Sequence, residues 1–241
     1  KTSTTVDIYA HRGEIVGIAG LVGAGKTELA ESLVAHRKTS GEWQLDGQHY
    51  TFSSPYEAIA AGLCLIPEER RKQGLFLPES VQTNLTVRLL SWLSRWQWIS
   101  RMKETDAANG LVRSLGIHPP SPSTAVRHLS GGNQQKVVIG KWLNTNARVF
   151  LFDEPTKGID VHAKQDVFSI IRTLADEGKT VLYFSSEFRE LLEVCDTIYI
   201  MVDGRLLARL PAAELTYEQL VYYCSGGEID GPAGRFRDTV E

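Results

Sequence analysis

Short, dense apolar runs alternate along this chain with stretches whose apolar residues recur every three or four positions. Glu14-Ile15-Val16-Gly17-Ile18-Ala19 is the first run, rich in β-branched residues and stopped by Gly20. It predicts a buried strand, and the residues from about Thr27 to His36 predict the helix that follows. From Gly41 to Phe52 the polarity alternates around Asp46-Gly47, a hairpin signal. Leu63-Cys64-Leu65-Ile66 is a second buried run, ended by Pro67. Three more lie at Val149 to Phe152, Thr180 to Phe184 and Thr197 to Val202, separated by helical patterns at about Val161 to Ala175 and Phe188 to Val194. Strands alternating with helices imply a parallel sheet covered on both faces.

The stretch from about Gln82 to Leu115 interrupts that alternation. Leu85, Leu89, Trp92, Trp96 and Ile99 fall on one face at helical spacing, which predicts helix there and an inserted helical subdomain over about 80–130. Trp92 and Trp96 read as packing inside that subdomain, and Trp98, off the stripe, as exposed. His118-Pro119-Pro120-Ser121-Pro122 marks a loop, after which Gly131 to Leu143 predicts a helix with Ser130 as its N-cap. Residues 1–225 thus read as one α/β domain, and 226–241, Gly-rich and polar, as a flexible tail.

Charge narrows the partners. With 26 basic and 29 acidic residues the net charge is -3, which argues against a broad nucleic-acid-binding surface. No apolar run reaches the roughly 18 residues of a membrane span, so contact with a membrane would come through a partner. Cys64, Cys195 and Cys224 are odd in number and far apart, which fits small core thiols in a reducing compartment. The six histidines lack metal-ligand spacing, and His162 reads as a solvated residue.

Three motifs carry the chemistry. Gly20-Leu21-Val22-Gly23-Ala24-Gly25-Lys26-Thr27 matches the phosphate-binding loop, placed between a predicted strand and a predicted helix. Its glycines let backbone N–H groups face phosphates at a helix N-terminus, Lys26 would reach the β- and γ-phosphates, and Thr27 would ligate Mg2+. Val149-Phe150-Leu151-Phe152-Asp153-Glu154 is a buried strand ending in two acids. Alone it reads as an ordinary strand; beside a phosphate loop, Asp153 can hold the magnesium shell and Glu154 can orient or deprotonate an attacking water. In Leu129 to Lys136, Ser130-Gly131-Gly132 opens a helix with bare N–H groups, a second anion site. One nucleotide cannot use both helix starts of one domain unless they adjoin, whereas a head-to-tail pair of domains brings each loop to the other's Ser-Gly-Gly.

In this order the three motifs, with the Asp160 loop, resemble an ABC transporter ATPase domain across essentially the whole chain: a P-loop NTPase parallel core with an antiparallel β subdomain and an inserted helical subdomain. Gly20-Leu21-Val22-Gly23-Ala24-Gly25, Pro67-Glu68-Glu69-Arg70-Arg71-Lys72-Gln73-Gly74-Leu75, Asn133-Gln134-Gln135-Lys136 and Asp153-Glu154-Pro155-Thr156-Lys157-Gly158-Ile159-Asp160 are similar to the C-terminal ATPase domain of tandem sugar importers. The resemblance implies ATP and Mg2+, a partner ATPase domain in the upstream half of the same polypeptide (which would explain a start at Lys1 without Met), membrane-spanning permease subunits, and a cytoplasmic, peripheral location. It implies catalytic roles for Glu154, Lys26 and Ser186, nucleotide contacts from Gly20, Gly23, Ala24, Gly25, Lys26, Thr27, Glu68, Ser130, Gly131, Gly132 and Asp160, and metal contacts from Thr27 and Asp153. Two positions depart from the general pattern: Glu68 stands where most members have a glutamine, and Ser186 where most have the switch histidine. They leave open a second reading, a slow or regulatory half-site that lends Ser130 to Gly132 to its partner. No adenine-stacking aromatic is evident; Tyr9, close to the phosphate loop, reads as packing in the sheet. An ABC ATPase of DNA repair or translation is disfavoured by the acidic balance.

Overall fold

The computed structural model describes residues 7–38, 41–89, 94–95 and 98–229, with the backbone alone at 94, 95, 98 and 99. The chain divides into two compact units: residues 1–65, 148–154 and 171–241 form the first, residues 66–147 and 155–170 the second.

The first unit is built on a six-stranded sheet in the order β10-β9-β1-β8-β7-β4. Strand β1 (Ile15–Ala19) lies between β8 (Thr180–Ser185) and β9 (Thr197–Val202) and runs parallel to both, while β7 (Val149–Asp153) runs parallel to β8. Central strands buried on both faces need apolar residues without alternation, and all five residues of β1 are buried. Val16, Ile18, Leu151, Leu182, Phe184 and Tyr199 pack in one core with Ala30 and Val34 from the region of helix α1 (Lys26–Leu33). That helix is shorter than its sequence pattern, because Ala35 takes a φ of 55° and turns the chain away. Strands β2 (Trp43–Leu45) and β3 (Gln48–Tyr50) form the anticipated hairpin, with Asp46 and Gly47 both at positive φ. Helix α2 (Pro55–Ala60) and strand β4 (Leu63–Ile66) follow.

The sheet is not purely parallel. Strand β10 (Arg205–Pro211) pairs antiparallel with β9 across Asp203-Gly204, at φ 46° and 78°. This is a two-residue hairpin turn of the type in which both central residues need positive φ. After helix α7 (Phe188–Val194) and these strands comes helix α8 (Tyr217–Cys224), started by a capping box in which Thr216 and Gln219 satisfy each other's backbone N–H groups. Cys64, Cys195 and Cys224 are all buried and none is in a disulfide. Residues 226–229 of the anticipated tail are described, and Ile229 is buried; 230–241 lie outside the described residues.

The second unit is mainly helical, but the continuous helical pattern over 82–115 is not what forms. Helix α3 (Val81–Thr86) gives way to a tight turn at Val87–Leu89, and Ser94–Arg95 (β5) pairs antiparallel with Trp98–Ile99 (β6) before helix α4 (Arg101–Ser114) begins. Leu85 and Leu89 are buried as the stripe required. Trp92 and Trp96 lie outside the described residues, as does the side chain of Trp98. Aromatic and β-branched residues such as Trp98 and Ile99 favour a pleated strand, and the side chain of Ser100 accepts from Lys103 N to start a new helix rather than continue an old one. Helices α5 (Gly131–Leu143) and α6 (Val161–Asp176) stand where the sequence put them. Among the described residues no helix is long and apolar enough to cross a membrane.

Candidate active site

In the first unit, β1 delivers the glycine loop to the start of α1. Gly25 is the N-cap at φ 99° and supplies no side-chain cap, so the first N–H groups of the helix are left for a ligand. A Cβ on Gly20 would lie 2.9 Å from both the Met201 carbonyl oxygen and the Ala24 Cβ, so only glycine lets the chain leave the sheet there. Val22, at the loop tip, is 90% exposed. Lys26 is buried, and its ammonium donates to the carbonyls of Gly20 at 2.9 Å and Leu21 at 3.1 Å. Its third direction faces a Glu154 carboxylate oxygen at 3.4 Å. Two donor directions of the amine are taken by loop carbonyls and the third faces Glu154, and an incoming phosphate has to compete with them.

Strand β7 carries Asp153, almost fully buried, and then Glu154 in the left-handed region at φ 44°. Holding a non-glycine residue there costs on the order of 1 kcal/mol. The conformation is fixed by Glu154 N donating to the Phe184 carbonyl at 2.9 Å. The carboxylate is then gripped by the end of β8: Ser186 N donates to Oε1 at 2.8 Å, and Ser185 Oγ donates to Oε2 at 3.3 Å. The first unit therefore brings Gly20 to Thr27, Asp153, Glu154 and Ser186 together. Ser186 does so through its main chain, and Ser185, which sequence reasoning passed over, through its side chain. Tyr9 departs from expectation: its ring is 62% exposed and does not pack in the sheet. The chain there is held by its backbone instead, Tyr9 N donating to Tyr199 Oη at 2.8 Å.

Thr27 and Asp153 offer a hydroxyl and a carboxylate, the hard oxygen donors that Mg2+ prefers, so the donor set fits that ion.

In the second unit the signature turn is assembled from its own side chains. Ser130 Oγ accepts from Asn133 N at 3.3 Å and from Asn133 Nδ2 at 3.0 Å, which leaves the hydroxyl proton as what it can still offer. Asn133 Oδ1 accepts from His118 N, Gln134 Nε2 donates to the carbonyls of Val126 and Leu129, and Lys136 reaches the Gly116 carbonyl and Asp166. The two glycines leave no room for side chains. A Cβ on Gly131 would lie 2.9 Å from Arg70 Nη2 and 2.9 Å from the Gly158 carbonyl, and one on Gly132 would lie 2.2 Å from the Ala163 Cβ. Asp160 Oδ1 accepts from Ala163 N at 3.0 Å, and this backbone N–H holds its carboxyl below the usual range. Glu68 forms an ion pair with Lys157. Arg70, which the sequence offered within the Pro67 to Leu75 stretch but without a role of its own, donates to the carbonyls of Lys157 at 2.7 Å and Gly158 at 3.0 Å, so Glu68, Arg70, Gly131 and the Asp160 loop form one cluster.

A family profile described as ABC transporter matches residues 4–157 of this sequence. The chain belongs to the ABC transporter family. Among relatives, the ribose import ATP-binding protein RbsA of Halalkalibacterium halodurans is 38% identical over 224 residues, covering 92% of this chain and 45% of that protein. The arabinose import ATP-binding protein AraG of Chromohalobacter salexigens is 40% identical over 218 residues, covering 90% and 44%. The chain thus spans about half the length of the curated relatives it matches. In fold it is an ABC ATPase: a dimeric ATP-binding cassette in a post-hydrolysis state with ADP and Pi superposes with a TM-score of 0.73 at 20% identity, covering 86% of this chain and 89% of that one.

Proposed function

We propose that this chain is an ATP-hydrolysing domain of a sugar importer, acting opposite a second ATPase domain and coupled to membrane-spanning permease subunits on the cytoplasmic face. The relatives named above are import proteins for ribose and arabinose, which supports the substrate class. The observation that carries hydrolysis is the meeting of Lys26 and Glu154 at 3.4 Å beneath a glycine loop. The phosphates of ATP would enter at the uncapped start of α1, and Lys26 would exchange the Gly20 and Leu21 carbonyls for phosphate oxygens. Glu154 would orient the attacking water as it strikes the terminal phosphoryl group. Mg2+ held by Thr27 and Asp153 would neutralise charge on the phosphates. Ser130 to Gly132 would serve the nucleotide of the partner domain, through the Ser130 hydroxyl proton and the N–H groups that open α5. Glu154→Gln in the chain assembled with its partner domain should lower turnover about a hundredfold. Unchanged turnover would remove Glu154 from catalysis.

One observation favours a second reading, a slow regulatory half-site. Ser186 reaches Glu154 through its backbone alone, and its short side chain offers no imidazole for the terminal phosphate. On that reading Ser186→His raises turnover at this site, and an unchanged rate counts against it.

A further inference from the structure

We infer that Ser185 is a positioning residue for Glu154, its buried hydroxyl fixing the carboxylate in the orientation from which it acts on water. The inference rests on the hydrolytic reading of Glu154 given above. Ser185 is fully buried and is the last residue of β8, in register with Ala19 of β1, immediately before the glycine loop. Its Oγ accepts from Glu187 N at 3.0 Å, in the turn that leads into α7. That bond occupies a lone pair and turns the hydroxyl proton away from Glu187, and the acceptor it meets is Glu154 Oε2 at 3.3 Å. Ser186 N holds the other oxygen at 2.8 Å, so each carboxylate oxygen has a donor from consecutive residues of one rigid strand end. A strand inside a sheet is a better-defined platform than a loop for such a group. Ser186 N comes from the main chain and survives any substitution there except proline; the Ser185 hydroxyl is the half of the grip that a side chain provides.

The test uses the chain assembled with its partner domain and compares Ser185→Ala, Ser185→Thr and Glu154→Gln with the unaltered protein for kcat and KM in Mg-ATP and for melting temperature. The expected result is a kcat about tenfold lower in Ser185→Ala with KM within twofold, near-normal kcat in Ser185→Thr, and no further loss when Ser185→Ala is added to Glu154→Gln. If Glu154→Gln abolishes turnover while Ser185→Ala keeps the full kcat, the positioning role is overturned and the hydrolytic reading stands. If the unaltered protein has no turnover, or Glu154→Gln changes nothing, the hydrolytic reading fails and the role falls with it. Equal losses in the Ala and Thr variants, accompanied by a lower melting temperature, would mean packing instead and also overturn it. Should Ser185→Ala not fold, Ser185→Cys, nearly isosteric and a weaker donor, carries the comparison with the same expected ranking.

Discussion

The glycine loop of the first unit and the signature turn of the second both place glycine at the start of a helix, for opposite reasons. At the loop, Gly23 and Gly25 are glycine because the chain bends through φ 87° and 99°. A Cβ on Gly23 would meet nothing within 4 Å. At the signature, Gly131 and Gly132 are glycine because the space beside them is filled by Arg70, the Gly158 carbonyl and Ala163. The helix after the loop has no side-chain cap, whereas the helix after the signature is capped by Ser130. Beyond Gly20, where the chain leaves the sheet against Met201 and Ala24, one region is a cradle shaped by backbone conformation; the other is a packed joint shaped by neighbours.

The strongest way to break that comparison is to add a methyl group to each. Gly132→Ala would put its Cβ 2.2 Å from the Ala163 Cβ, and α5 and α6 would have to separate. Overpacking of that kind should cost about 3 kcal/mol in denaturant unfolding, and Ala163→Gly in the same chain should recover a substantial part. Gly23→Ala meets no neighbour, so only its positive φ opposes it, at about 1–2 kcal/mol. Gly23→Asn should cost less, because asparagine tolerates left-handed backbone. If the two alanine variants lose equal stability, or if Ala163→Gly rescues nothing, the contrast between cradle and joint is wrong. A smaller effect sharpens it: Ser130→Ala should cost about 1 kcal/mol by removing the cap, whereas the start of α1 has no side-chain cap to remove.

Much of this was legible in the sequence, because it resides in local pattern. The buried strands at β1, β7 and β8 follow from unbroken apolar runs, the Ser130 cap from residue type, and the loop from its glycines. Two elements were missed although their signals are present: Asp203-Gly204 spells the turn into β10, and Thr216 to Gln219 spells the capping box of α8. The antiparallel pairing of 94–95 with 98–99 was hidden because an apolar stripe at helical spacing outweighed the strand preference of Trp98 and Ile99. Side-chain roles were harder to read than elements. Nothing local in Ser185-Ser186-Glu187 tells which serine turns its hydroxyl toward Glu154, because the bond joins residues more than thirty positions apart. Arg70 belongs to the signature cluster for the same reason, by contact with carbonyls far along the chain.

Two lysines, one in each unit, differ also in the charge they face. Lys26 of the first unit donates to two main-chain carbonyls and faces the Glu154 carboxylate. Lys141 of the second unit donates to the Gly74 carbonyl and lies 5.6 Å from the centre of the Phe76 ring, but the charge nearby is that of Arg88. Burial, and then the like charge of Arg88, pushes Lys141 down to about 8. Between that value and the ordinary lysine value the folded chain binds fewer protons than the unfolded one, so stability should rise with pH across this window. Below it both states carry the proton and the penalty is constant. Lys141→Met removes the titration, so the difference in unfolding free energy between the unaltered chain and the variant should shift by about 1 kcal/mol from pH 8 to pH 10, in favour of the unaltered chain. Urea unfolding at three pH values reads that difference directly. A difference that stays flat would mean that the Gly74 carbonyl and the Phe76 ring satisfy the ammonium as fully as a carboxylate would, and Lys26 and Lys141 would no longer be distinguished by their counter-charge.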